Sequence, residues 1–479
     1  MSAAAATADE SHHRHLFGFE FPDFSVLKDG RVQTIIFARN ISKLGIATLS
    51  YGAMVYLADN GASQIQVSVV GAMGYLAALL FGSQGGAVVD SMSKRNALMA
   101  GYAGQAALCI IFPIFFGADV IDLTVLAFLV ASLATITSPA LKATVPLVAT
   151  VAAMATVAAV LNLFGSFGTA IGQAFVAPVL IKVSGIDAVM YASGVILACA
   201  AVWVRRVPID PTGTGKSTRE ALKGVDWKPK ALDLRGIARW IIGRRAVATI
   251  ILVGAVVYAL GEAVGTLIPV YVRDVLDADP SWSIYIFAPA GLGYLAGAVS
   301  APWLIHKYGE RRVGSIALTI TAVGVMLYGV IDLVAPFLAP ISPCRLFELL
   351  GVDLSDKMLA AGFIAMPANY GSTATSAAVQ NYINRRLPLI TQGGVFGMER
   401  VIENALSLVA VLGLGAIATV LGSQVVFLVA PVAVFAVVVW LLRYSYRVAG
   451  QAEPTREVLE ELWGREAGEA PATDSTPGQ

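Results

Sequence analysis

The sequence predicts an all-α polytopic membrane protein with twelve membrane-spanning helices in two pseudo-symmetric six-helix halves. Three observations carry that reading. Hydrophobic residues make up 57% of the 479-residue chain and charged residues only 14%, where a soluble protein carries about a quarter charged. The apolar residues gather into twelve runs, each long enough to supply the ~20 residues an α-helix needs to cross a bilayer. The layout of the first six runs then recurs in the last six, about 215 residues further on at first and about 236 beyond the ninth run. This composition excludes a soluble multidomain enzyme, and a net charge of +1 excludes bulk nucleic-acid binding. Cys109, Cys199 and Cys344 cannot make a disulfide framework, and residues 1–15 lack the basic-then-apolar pattern of a cleavable signal.

The runs lie near 33–58, 64–90, 96–117, 123–142, 149–181, 186–204, 246–272, 282–305, 313–332, 358–381, 394–421 and 424–443. Gly165, Gly168, Gly172 and Pro178 break the fifth. Lys and Arg resist translocation, so their placement sets the orientation. With both termini cytoplasmic, the inner connections carry Lys94, Arg95, Lys142, Arg205, Arg206, Lys307, Arg311, Arg312, Arg385 and Arg386. The outer side then holds only Lys182, Arg273, Arg345 and Lys357. An odd helix count would spoil this asymmetry. The expected organisation is a cytoplasmic segment at 1–32, a first half at 33–204, a linker at 205–245, a second half at 246–444 and an acidic cytoplasmic tail at 445–479, in the plasma membrane.

The linker holds eleven Lys/Arg against four Asp/Glu, which suits a position beside anionic lipid on the cytoplasmic side. Its Thr212-Gly-Thr-Gly-Lys-Ser-Thr218 stretch is not a phosphate loop, because Asp210 stands where the first glycine is needed and no strand precedes it. The two halves differ mainly by an extra external segment at 332–357. Repeated halves that rock about a central site are the plan of secondary transporters. Phe17, Phe19, Phe21 and Phe24, with Lys28 and Arg31, suggest an interfacial anchor before the first span. His12, His13 and His15 read as a surface tract, and no His/Asp/Glu cluster has the spacing of a metal or catalytic site.

Gly82, Gly86 and Asp90 are spaced by four, with Lys94 one turn further, so they share one helix face until the helix ends. The pattern Gly86-x-x-x-Asp90-x-x-x-Lys94-Arg95 resembles the loop signature that joins the second and third helices of the major facilitator superfamily. His306-Lys307-Tyr308-Gly309-Glu310-Arg311-Arg312 is similar to the tail of the same signature, in the matching loop of the second half. The copies depart from the pattern at Ser91 and Ser93, and at Pro302 and His306. The resemblance covers roughly 30–445. It implies the twelve-helix fold, transport by alternating access, and a latch between Asp90 and the cytoplasmic end of the eleventh helix, Gln392 to Arg400. Gly165-x-x-Gly168-x-x-x-Gly172 is similar in part to the antiporter motif of exporters, and 382–397 to a connection in the multidrug, macrolide and siderophore exporter branch. Ordinary close packing explains the same glycine spacing.

Ionisable residues inside a membrane are costly and are functional candidates by default. Here they are Arg39 and Lys43 on the first helix, Glu262 on the seventh, and Glu399, Arg400 and Glu403 on the eleventh. Arg39 is near enough to the inner surface to snorkel. Glu262 lies past the middle of its helix with no charged neighbour in sequence, a placement suited to a proton carrier or to an ion pair with a cation such as Lys43. Glu399 and Glu403 stand one turn apart and suit the same two roles. Asn40, Tyr51, Asn162, Gln173, Tyr258, Asn369, Tyr370 and Gln380 supply neutral polar groups for a binding chamber or for interhelical hydrogen bonds. The preferred reading is a monomeric, proton-coupled exporter of small amphipathic molecules that uses no cofactor or metal. The alternatives are an uptake permease for a metabolite or lipid, and a non-transporting receptor or polytopic enzyme. If the resemblance holds at the gate, Asp90→Asn slows transport in an otherwise stable protein; unchanged rates in reconstituted vesicles would remove the latch.

Overall fold

The computed structural model describes residues 15–16, 19–20, 28–149, 154–207, 245–386 and 389–448. The phenylalanine anchor other than Phe19, His12 and His13, nearly all of the basic linker and the tail beyond Val448 lie outside them. His15–Leu16 and Phe19–Glu20 pair as two-residue antiparallel strands; the other regular structure described is helical. The helices of the first half are α1 (Gly30–Asp59), α2 (Gln64–Ser91), α3 (Lys94–Phe115), α4 (Val120–Ala143), α5 (Met154–Ile171) and α6 (Ala177–Trp203). Those of the second half are α7 (Arg245–Asp274), α8 (Ile284–Tyr308), α9 (Glu310–Gly329), α10 (Asp356–Arg386), α11 (Leu389–Leu421) and α12 (Ser423–Val448).

Ten stretches of the described residues are long and apolar enough to cross a membrane. One of these, Val160–Arg206, is 47 residues long and contains two spans. Gly185 separates them with φ 77° and ψ −169°, a conformation open to glycine and outside any helix. The twelfth span is α10, whose Asn369, Ser372, Thr373, Thr375 and Gln380 make it more polar than the others. Between α5 and α6 the helix widens into a π-turn over Gly172–Val176. Pro178 follows, and in a regular α-helix its ring would press on the carbonyl of Ala174, so the wider turn relieves that clash. Pro113, Pro139, Pro269, Pro289, Pro302, Pro367 and Pro431 also lie inside helices, as a bilayer protein tolerates when neighbouring helices satisfy the freed carbonyls.

The chain divides into two compact units, one formed by 1–57 with 76–231 and the other by 58–75 with 232–479. In the first unit α5 packs on α1 through glycines. A Cβ on Gly168 would run into the Asn40 carbonyl, and one on Gly172 would lie 2.7 Å from the Leu44 carbonyl oxygen. Gln105 on α3 donates to the Val130 carbonyl of α4 at 3.0 Å, and Tyr102 donates to Ser42 of α1 at 3.2 Å. In the second unit α10 is the centre. Gly293 of α8 approaches the backbone at Met366, and Gly371 of α10 approaches the carbonyl of Ala317 on α9. Tyr271, Tyr328 and Phe427 form an aromatic core where α7, α9 and α12 meet, tied by Tyr271 to the Tyr328 carbonyl at 2.7 Å and Tyr328 to the Ala361 carbonyl at 3.1 Å. Large apolar side chains remain outside, with Ile121 76% and Val420 81% exposed, as expected where the surrounding solvent is lipid.

The extra segment at 332–357 folds as a short helix, Ile331–Leu338, followed by 3₁₀ turns at Ala339–Ile341 and Pro343–Leu350. Ser342 fastens it by donating to the Leu359 carbonyl at 2.9 Å, and Cys344 is buried beside Gly362. In the first turn of α10, Lys357 pairs with Asp332 at 2.8 Å and Asp277 at 3.6 Å, while Gln424 donates to Asp332 at 2.6 Å. The hydrogen bonds from Lys357 and Gln424 hold the Asp332 carboxyl below its ordinary range, and Asp332 raises Lys357 above its own.

Two outcomes follow from this packing. Gly172→Val should cost about 1–3 kcal/mol through overpacking and lower the thermal midpoint in detergent. Gly86→Ala, where a Cβ meets nothing within 4 Å, should leave the midpoint unchanged or slightly higher. The Asp332 contribution is present above the ordinary carboxylate range and is lost as pH falls through the lowered value. The Lys357 contribution is lost only as pH rises through the raised one. The midpoint difference between wild type and Asp332→Asn should therefore be small, because both groups are partly exposed, persist from about pH 4 to about pH 10, and vanish in stronger acid.

Candidate functional site

The polar interior of the second unit is built on α7, α10 and α11. Tyr258 and Glu262 are one turn apart on α7 and share a face. Tyr75, in the 58–75 segment that belongs to this unit, donates its hydroxyl to Glu262 Oε2 at 2.5 Å. Tyr258 interacts with the same carboxylate and also feels Arg400 and Glu403, so these groups share one electrostatic environment. Glu262 is half-buried, 12 residues from the C-terminal end of α7 at Asp274, or about 18 Å along the helix.

On α11, Glu399 and Glu403 are buried, with 4% and 8% of their surface exposed. Arg400 reaches Glu403 at 2.9 Å while 58% of its own side chain stays exposed. Gln380 of α10 donates to Glu399 at 3.4 Å. The helix begins at Leu389, earlier than the sequence predicted, so Glu403 stands about 21 Å from its N-terminal end. Glu399 and Glu403 share the field of Arg400, and Tyr258 feels Glu262, Arg400 and Glu403 together. Such a set can take up and release protons, and its tyrosine and glutamine partners orient the carboxyl oxygens.

The first unit holds the other ionisable candidates. Arg39 is partly buried on α1 and lies over Gly165 of α5, with Nε 3.0 Å from the place of a Cβ there. Asn40 donates to the Phe164 carbonyl at 2.8 Å, joining α1 to α5. Lys43 is partly buried one turn deeper, and Gln173 sits in the π-turn. Tyr51 is buried and Asn162 is exposed. Asn369 donates back to Ala365 of its own helix at 3.0 Å, and the Tyr370 hydroxyl accepts from Ser300 at 3.1 Å. Those two polar side chains are engaged in packing. Tyr75 is the residue that the sequence reading missed, since a neutral phenol inside an apolar run carries no signal of its own.

The residues of the two signature-like loops are also described. α2 ends at Ser91 with Asp90 exposed, and Ser93 caps α3 by accepting from the Asn96 amide at 3.4 Å. Lys94 and Arg95 open α3. In the second loop Gly309 has φ 80°, which accounts for a glycine between α8 and α9. Lys307 packs over the Trp303 ring at 5.0 Å, His306 and Arg311 are exposed, and Arg385 of α10 reaches Glu310 at 3.2 Å. Among the described residues no three His, Cys, Asp or Glu side chains gather in a way that could hold a metal ion.

The sequence profile described as Major Facilitator Superfamily matches residues 36–352. The chain belongs to the major facilitator superfamily. It is therefore a multi-pass membrane transporter and not an enzyme. Among proteins of curated function, none matches this sequence. Solved structures with the same fold include the nucleoside transporter NupG, at 12% identity and a TM-score of 0.60 over 86% of this chain and 98% of that one. A bacterial homologue of the iron transporter ferroportin, in an inward-facing state, matches at 14% identity and a TM-score of 0.59 over 86% of this chain and 98% of that one. A D-xylose–proton symporter matches at 11% identity and a TM-score of 0.61 over 86% of this chain and 96% of that one. At these identities the likeness is one of fold alone. Within this major facilitator transporter, Tyr75→Phe removes the donor to Glu262 and should reduce turnover more than apparent substrate affinity, as measured by kcat and KM in vesicles.

Proposed function

We propose that this transporter couples proton movement to the export of small amphipathic molecules by alternating access. The observation that carries the proposal is Glu262, an acid within a membrane span whose carboxylate accepts a hydrogen bond from Tyr75 and interacts with Tyr258. An intramembrane carboxyl group is neutral while it holds a proton, so loading and releasing a proton switches its charge and its cost in hydrocarbon. Its two tyrosines can keep its geometry while its charge changes. Glu399 and Glu403, buried on α11, provide further acid groups for a proton path or for a cationic part of the substrate.

Export is supported by the α1–α5 seam, where Gly165, Gly168 and Gly172 meet Arg39, Asn40 and Leu44. This is the stretch that is similar to the antiporter motif of exporters. In the proposed orientation, with both termini cytoplasmic in the plasma membrane, the monomer releases substrate outward as protons enter. Asp90 and the basic residues of the two signature loops would govern closure on the inner face.

Inverted vesicles carrying an imposed pH gradient test the proposal with a panel of amphipathic compounds. Substrate uptake into those vesicles should collapse with the gradient and fail in Glu262→Gln. Gradient-driven transport that persists in both Glu262→Gln and Glu403→Gln would refute proton coupling through these acids. A deletion strain that gains drug sensitivity supports export, whereas loss of growth on one nutrient would establish uptake instead.

A further inference from the structure

Between α2, α3 and α4 the first unit holds an apolar groove of about 440 Å³. Its walls include Phe81 and Val88 of α2, Gly101 of α3, and Phe128 and Ile136 of α4, with Ala100 and Leu129 exposed at the rim. Ser132 is the one hydroxyl in the lining, and it is already spent on the Phe128 carbonyl of its own helix at 2.7 Å. A polar ligand would therefore lose its water here without replacement, and the groove suits hydrocarbon.

Its depth fits one leaflet. Phe81 is ten residues from the end of α2 at Ser91, about 15 Å along the helix and half of a hydrocarbon core of ~30 Å. The inner ends of the same three helices carry Lys94, Arg95 and Lys142 against one carboxylate, Asp90. Cations in the first turn of α3 oppose the helix dipole, an arrangement that a nearby anion would offset. Arg95 Nε is also buried with no hydrogen-bond partner among the described residues.

We propose that the groove takes an acyl chain of an anionic phospholipid, whose phosphate is held at Lys94 and Arg95. The apolar lining recognises the chain and the three basic residues select the charge. Such a lipid lies beside the first signature loop, so membrane composition acts on the segment that joins α2 to α3. The inference uses the orientation proposed above and does not depend on the direction of transport.

Native mass spectrometry of the full-length transporter in detergent tests it, with phosphatidylglycerol and phosphatidylcholine of identical chains as probes. Phosphatidylglycerol should bind about thirtyfold more tightly, the preference expected of two basic contacts. The double substitution Lys94→Gln, Arg95→Gln should abolish that preference, and the charge-conserving Lys94→Arg, Arg95→Lys should keep it. Ala100→Phe, which fills the rim and leaves both cations in place, should weaken binding of either lipid, so a folding defect in the charge variant does not decide the result. Equal binding of the two lipids by wild type would overturn the proposal. So would phosphatidylglycerol binding that neither the charge removal nor Ala100→Phe alters, or its displacement by glycerol phosphate, which would mark a site for a free anion.

Discussion

A charge or an open backbone hydrogen bond in hydrocarbon must find its partner inside the protein, and the architecture of this transporter answers to that constraint. Backbone groups are satisfied within helices, and where the helix is interrupted the interruption has a local cause. Gly185 turns the chain between two spans, and the π-turn at Gly172–Val176 accommodates Pro178. Side-chain charges follow the same rule. Glu403 has Arg400, Glu399 has Gln380, and Glu262 has Tyr75 and Tyr258. Most other charges stand in the connections and at helix ends, where Arg385 meets Glu310 and Lys357 meets Asp332.

Close packing follows from the same solvent. Lipid gives little hydrophobic drive for helix association, so contact depends on backbones that approach closely. Gly168 and Gly172 let α1 and α5 meet, and Gly293 and Gly371 let α8 and α9 meet α10. Gly82 and Gly86 differ from these, for a Cβ on either meets nothing within 4 Å. Their small size is therefore not required by the arrangement described, which is consistent with a role in another stage of the transport cycle. The polar side chains of α10 carry a related message. Asn369 and Tyr370 serve packing, and Gln380 reaches the acids.

The spans and their pairing into halves were legible in the sequence because bilayer thickness imposes a length and the loops impose a sign on charge. The least regular run was also anticipated at 149–181, where glycines and Pro178 warned of a break. What stayed hidden was of two kinds. The end of a helix does not show in composition, so α11 starts earlier than expected and Glu403 lies deeper. Partnership between distant segments does not show either. Glu262 stood out as an intramembrane acid, yet nothing in the run around Tyr75 identifies it as the donor. The extra segment was visible only as an insertion, and its attachment through Lys357, Asp332 and Gln424 required three separate stretches to meet.

The central claim is that the Glu262 carboxyl carries the proton. Infrared difference spectroscopy of the reconstituted transporter through a pH titration measures this directly, by following the carbonyl stretch of protonated carboxyl groups. The account predicts a band that appears on acidification, is missing from Glu262→Gln and is shifted in Tyr75→Phe. The same pH-dependent carboxyl bands in wild type and Glu262→Gln would contradict it.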